Sequence, residues 1–257
     1  MKSIIKTVVL IILISAVNQL YTQDLSAKDI VEKSNNLFLG KSSISTMTMS
    51  VKRPEWTRTF TMQSWSLGND YYIIYITAPA RDKGQIFMKR KNDMWNWMPS
   101  INRMIKIPPS MMMQSWMGSD FTNDDVVRAN SIVEDYTHKT LGEEQIEEHD
   151  CYIIELIPLD DAPVVWGKII MWIDKEKYFQ LRSEYYDDYM ELVNIAKGSE
   201  IEVMDGHEIP TLLRISPVDK PNNLTELKIN FQDFDIPTIT ESFFSQQNMK
   251  RIRPRNK

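Results

Sequence analysis

GQIFMKRKNDMWNWMPSINRMIKIP, Gly84 to Pro108, is the stretch whose reading decides the architecture. It divides into GQIFMKRK, MWNWMP and INRMIKIP, each too short for a stable helix, and turn-forming Asn92-Asp93 separates the first two. Within MWNWM, period-two alternation puts Trp95 and Trp97 on one side and Met94, Asn96 and Met98 on the other. Large apolar groups on both sides predict strands covered on both faces, joined as an antiparallel meander.

The same habit extends in both directions. Upstream, Met47, Met49 and Val51 alternate with Thr48, Ser50 and Lys52 until Pro54, and TRTFTMQSW and DYYIIYIT follow around Gly68-Asn69-Asp70. Downstream come HKTLGEEQIEEHD, CYIIELIPL, KIIMWIDK, FQLRSEYYD, MELVNIAKG, EIEVMDG, TLLRIS and ELKINFQDF. In the last of these, Leu227, Ile229 and Phe231 alternate with Lys228, Asn230 and Gln232, giving one wet face and one dry face. No helix of crossover length separates the runs, which disfavours parallel architectures. A large twisted antiparallel sheet curls on itself, so the expectation is a mainly β, single-domain barrel or half barrel.

A helix is expected at each end. LSAKDIVEKSNNLFLGK predicts an amphipathic helix of about three turns, with Ser26 as N-cap, Asp29 three residues on and Gly40 as the stop. A short helix from about Thr240 to Met249 would carry Phe243 and Phe244. The last residues, MKRIRPRNK, read as a short basic, solvated tail.

The first residues, MKSIIKTVVLIILISAVNQLYTQD, place Lys2 and Lys6 ahead of an apolar run from Thr7 to Val17. That is the layout of a secretory signal peptide, here residues 1–23, with the mature domain at 24–257. A retained membrane anchor is the alternative reading. Cys151, the single cysteine, permits no intramolecular disulfide, and export without disulfides fits a bacterial periplasm. A net charge of -5 argues against nucleic acid as a partner.

No catalytic motif stands out. His138, His149 and His207 lie at no metal-ligand spacing, and G-x-S-x-G, G-x-G-x-x-G and the P-loop are missing. The sequence thus predicts no catalytic residue, no metal and no cofactor. Asp120, Asp124 and Asp125 in GSDFTNDDVV lack the glycine and distal glutamate of a calcium loop. Asp120 or Thr122 as a helix cap, with Asp124 and Asp125 in the first turn, accounts for them.

What remains is an accumulation of methionine and tryptophan. Met94 to Phe121 holds seven of the sixteen methionines and three of the seven tryptophans. Prolines open the IPPSMMMQSWMG part, which suits a loop leading into a short helix or flap. One reading is plain core. The other is a deformable surface that repacks around variable apolar guests, since methionine specifies a unique interior poorly.

Three stretches together resemble the outer membrane lipoprotein-sorting family, the LolA/LolB-like proteins. They are the quoted stretch with Asn92, Asp93, Trp95, Trp97 and Pro99, then SWMGSDFTNDD (Ser115 to Asp125), then IDKEKYFQLRSEYYD (Ile173 to Asp187). The last two are similar to a branch that often accompanies resistance-nodulation-type exporters. The resemblance implies an unclosed antiparallel β-barrel of about eleven strands with lid helices over an apolar cavity, and no catalysis. It also implies a latch arginine before a proline. VKRP, Val51 to Pro54, falls one hairpin early for that role and no arginine stands near Leu67, so Arg53 is not assigned it.

The resulting expectation is a monomeric periplasmic carrier whose partners are lipid acyl chains or a lipoprotein. Trp95, Trp97, Met98, Met111, Met112, Met113, Trp116 and Met117 are its candidate ligand-binding wall and flap. Arg103, with Arg81 second, is the candidate cation for a phosphate or carbonyl at the mouth. The alternatives are a non-catalytic envelope adaptor docking to a resistance-nodulation-type transporter, and a hydrolase with an unrecognised site.

Overall fold

The quoted stretch folds as three consecutive strands, β4 (Ile86–Arg90), β5 (Asp93–Met98) and β6 (Arg103–Lys106), in a computed structural model that describes residues 25–127 and 131–254. They are paired antiparallel, Arg90 opposite Asp93 and Met98 opposite Arg103. The signal-peptide reading at residues 1–23 and the end of the basic tail lie outside the described residues.

Ten more strands join them: β1 (Ser42–Lys52), β2 (Thr57–Leu67), β3 (Tyr71–Ala78), β7 (Tyr136–Ile146), β8 (His149–Pro158), β9 (Lys168–Asp174), β10 (Gln180–Tyr186), β11 (Leu192–Met204), β12 (His207–Pro217) and β13 (Leu224–Phe234). All thirteen form one open sheet, in the order β6-β5-β4-β3-β2-β1-β13-β12-β11-β10-β9-β8-β7. The count exceeds the eleven that the family resemblance implied. It also falls one short of the sequence runs, because MELVNIAKG and EIEVMDG are one strand. Gly198 lies mid-strand in β11: a Cβ there would stand 2.3 Å from the Gln180 carbonyl oxygen, so the glycine marks a close approach of β10 and not a break.

The strand order has a consequence. Each half is a plain meander, and the halves meet where β1 pairs with β13. The chain therefore leaves the sheet at one edge, β6, and re-enters at the other, β7. The connection between them must cross one face.

That inner face carries Met47, Met49, Val51, Phe60, Met62, Ile74, Ile76, Phe87 and Met94 from one half and Ile154, Leu156, Ile169, Met171 and Ile173 from the other. Helix α1 (Ala27–Leu39) packs on it through Ile30 and Val31. As expected from the sequence, Ser26 caps α1: its hydroxyl accepts from the Asp29 backbone N–H, and Asp29 accepts in return from the Ser26 N–H. Gly40 ends the helix at φ 55°.

The opposite face of β1–β5 is covered as well. Ile44, Trp65, Ile73, Tyr75, Met88 and Trp97 are sealed by Ile239, Phe244, Met249 and Ile252 from the C-terminal segment. The expected terminal helix is split into a 3-10 turn (Glu241–Phe243) and a short α4 (Gln246–Met249), which lets both Phe243 and Phe244 pack inward. The start of the basic tail is docked instead of solvated: Met249 and Ile252 are buried and the Lys250 ammonium lies 5.2 Å from the Trp97 ring centre. Among the described residues no helix is long and apolar enough to cross a membrane.

Candidate functional site: a two-lobed hollow under the crossing segment

The connection from β6 to β7 contains a 3-10 turn (Pro109–Met111), α2 (Asn123–Val127) and α3 (Ser131–Glu134). It is folded back on itself. Asn123 N–H donates to the Gln114 carbonyl (2.9 Å), Asp124 N–H to that of Met112 (3.0 Å), and Trp116 N–H to that of Phe121 (2.8 Å). Thr122 caps α2, its hydroxyl accepting from Asp125 N–H at 3.0 Å while the Asp125 carboxylate accepts from Thr122 N–H at 2.7 Å. Of the two caps the sequence offered, Thr122 is the one used.

Asp120 does something else. The Arg53 guanidinium, at the end of β1, grips its carboxylate with two parallel bonds, Nη1 to Oδ2 at 3.0 Å and Nη2 to Oδ1 at 2.9 Å. Nη2 also donates to the Gly118 carbonyl at 3.0 Å. From β13, the Thr225 hydroxyl donates to Asp120 Oδ2 at 2.7 Å. The side chains of the pair are only 13% and 8% exposed, so water screens them little. The crossing segment is thus tied to the seam between the two meanders by Arg53, the residue that strand order had excluded from such a role.

Between this segment, α1 and the sheet lies a hollow of about 330 Å³. Its wall is mostly apolar, with Phe38, Trp166, Ile169, Leu212, Ile215 and Ile229 prominent. A second lobe of about 180 Å³ is bordered by Met47, Met62, Tyr72, Ile74, Lys89 and Trp116. Leu39, Phe121, Asp125 and Leu227 border both lobes.

Among the described residues, the charge-bearing side chains of the larger lobe are carboxylates. Asp120, Asp124 and Asp125 all line it, beside Tyr136 and Tyr185. Burial, with the neighbouring carboxylates, raises both tyrosine hydroxyls well above their ordinary range. Asp125 Oδ1 accepts from the Trp166 indole N–H at 2.9 Å. Burial raises the Asp125 pKa, and the bonds from Trp166 and Thr122 only partly oppose it. The folded state therefore takes up this proton at a higher pH than the unfolded chain. The cost of carrying the charge is present above the raised folded value and fades as pH falls through it toward the unfolded value. Relative to Asp125→Asn, the native protein should gain stability as pH is lowered. Denaturation midpoints of the two proteins across pH check this, and a difference independent of pH would contradict it.

The expected site residues are scattered by the fold. Met112 and Trp116 are buried against the inner face, with Trp116 edge-on to Phe87 at 5.3 Å between ring centres, and Trp116 borders the second lobe. Met111 and Met117 pack partly buried against the same core, while Met113 points outward, 61% exposed. Trp95 and Trp97 share a side, as alternation required, but it is the side covered by the C-terminal segment, away from both lobes. Met98 is half-buried at the end of β5, Arg103 is exposed on edge strand β6, and Arg81 is exposed in the turn before β4. The wall residues supplied by β9, β12 and β13 are not among the expected site residues. Their signal, alternation in KIIMWIDK, TLLRIS and ELKINFQDF, was present but indistinguishable from that of ordinary core strands.

A family model described as "-like: Uncharacterized protein" matches residues 68–251. No curated protein matches the chain. Solved structures share its fold, among them these three. A DUF1329 family protein from Desulfovibrio piger aligns with a TM-score of 0.79 and 24% identity over 87% of this chain and 97% of its own. A putative outer membrane lipoprotein-sorting protein domain from Vibrio parahaemolyticus gives 0.77 and 22% over 88% and 98%. A LolA superfamily protein from Nitrosomonas europaea gives 0.74 and 23% over 87% and 99%. At these identities the likeness is one of fold, and the fold is the LolA-like open sheet.

Proposed function

We propose that this chain, which belongs to the family whose model spans residues 68–251, is a non-catalytic periplasmic carrier that shelters acyl chains of a lipid or lipoprotein in the two-lobed hollow. The observation that carries the reading is the apolar hollow of about 330 Å³ beneath a segment held at the seam by one buried ion pair. Such a volume lies at the low end of small-molecule pockets, roughly 300–1,000 Å³. It takes a single tail in this closed form, and a bulkier cargo enters by displacing the crossing segment.

Energetics support the assignment. Each methylene withdrawn from water contributes about 0.8 kcal/mol, so ten of them supply about 8 kcal/mol toward capture. Release needs a cover that moves. Met111, Met112 and Met117 on that cover repack readily, and Arg53 with Asp120 provides the fixed point about which it opens. The signal-peptide layout at residues 1–23 and the lipoprotein-sorting fold support a periplasmic place of work. The comparisons lend no support to the adaptor alternative.

Delipidated protein titrated with a fluorescent fatty acid tests the reading. Saturable uptake with Kd in the micromolar range or tighter, about -8 kcal/mol, is expected. Protein that folds normally yet takes up none would rule the carrier out.

A further inference from the structure

We infer that the smaller lobe is a head-group site for an anionic, single-tailed acyl amphiphile, with the tail running past Leu227 and Phe121 into the larger lobe. The inference rests on the carrier reading and adds to it the chemistry of the cargo's polar end.

Two groups in the smaller lobe point to an oxygen-bearing guest. Lys89, on β4, is 8% exposed, and alternation turns it to the same inner face as Phe87. Its ammonium donates to the Asn69 carbonyl, at the turn between β2 and β3. Among the described residues it is the only cation lining either lobe. The rest of the lobe's described lining is mostly apolar, with Met47, Met62, Ile74, Val126 and Leu227 and with Asp125 as its carboxylate, a setting in which a charge acts strongly. The second group is Trp116: its indole N–H is buried without an acceptor, although the residue is 4% exposed and borders the lobe. A buried donor left unsatisfied is destabilising, and an acceptor oxygen delivered by a ligand removes that cost.

The charge of the other lobe fixes the direction. Asp120 and Asp124 line the larger lobe and, among the described residues, no cation does, so an anionic head finds its counter-charge at Lys89 in the smaller one. The tail then occupies the space walled by Leu212, Ile215 and Ile229. Head toward the β2–β3 turn and tail under α1 is the orientation that follows.

The test compares three ligands of equal tail length, palmitate, hexadecyl phosphate and hexadecanol, by displacement of a fluorescent fatty acid from delipidated protein. At least one of the two anions is expected to bind about tenfold or more tightly than the alcohol, and the better of them distinguishes a carboxylate from a phosphate head. Lys89→Met should bring the anions down to the alcohol without weakening the alcohol, and Lys89→Arg should keep the preference. Trp116→Phe, which keeps a ring but deletes the N–H, should weaken the preferred anion severalfold. This variant also reads the site if Lys89→Met does not fold. Equal binding of all three ligands by the native protein, or an unchanged preference in Lys89→Met, would overturn the inference and leave the carrier reading standing. Failure of all three to bind would overturn both.

Discussion

Arg53→Ala should destabilise the protein by about 3–5 kcal/mol and loosen the cover of the hollow. The magnitude comes from removing one partner of a nearly buried ion pair, which leaves Asp120 with its charge and, of its side-chain donors, the Thr225 hydroxyl. The loss extends beyond the pair, because Arg53 also donates to the Lys52 and Gly118 carbonyls. Arg53→Lys should recover only part of the stability: a point-charge ammonium cannot make the two parallel bonds of the guanidinium fork. Denaturant unfolding gives the stability change. Hydrogen exchange at residues 118–120 gives the local effect, with faster exchange there than in the strands, and bound fatty acid should dissociate more quickly. A variant that is destabilised uniformly, with no excess exchange in the crossing segment, would show that Arg53 merely supports the sheet.

Leu227→Trp should all but abolish acyl binding while leaving the fold intact. Leu227 borders both lobes, and an indole placed there takes up space at their shared wall. Excluding about four methylenes of the ligand costs about 3 kcal/mol, roughly a hundredfold in affinity. Because the new ring enters existing space, the stability cost should stay near the low end of the overpacking range, about 1 kcal/mol. Fatty-acid titration and a melting curve on the same sample separate the two effects. Tight binding in a folded Leu227→Trp protein would place the ligand elsewhere.

The parts of this architecture visible in the sequence are those set by local chemistry. Period-two alternation around Trp95 and Trp97 marked the strands, and Ser26 with Asp29 and Gly40 marked the ends of α1, because both signals act within a few residues. Gly198 misled: inside a strand and at a strand's end a glycine reads alike, and only the Gln180 carbonyl beside it tells the two apart. The two tryptophans lie on the face turned away from the hollow for a related reason. Alternation says which residues share a side, but which side is sealed by Phe244 and Met249 depends on where the C-terminal segment lies. Arg53 was hidden by topology. Its partner Asp120 lies on the connection that must cross from β6 to β7, and no count of hairpins reveals where that connection touches the sheet. The walls of the hollow are equally non-local, drawn from α1, β9, β12, β13 and the crossing segment at once.

The central claim is that a tail-bearing molecule occupies this interior in the cell. Mass spectrometry of the organic extract of protein purified from its host without detergent measures that occupancy. The account predicts an acyl-bearing molecule in near-equal proportion to the chain, and its loss from Leu227→Trp prepared in parallel. Extracts of the two proteins that are alike, with no acyl compound above background in either, would contradict it.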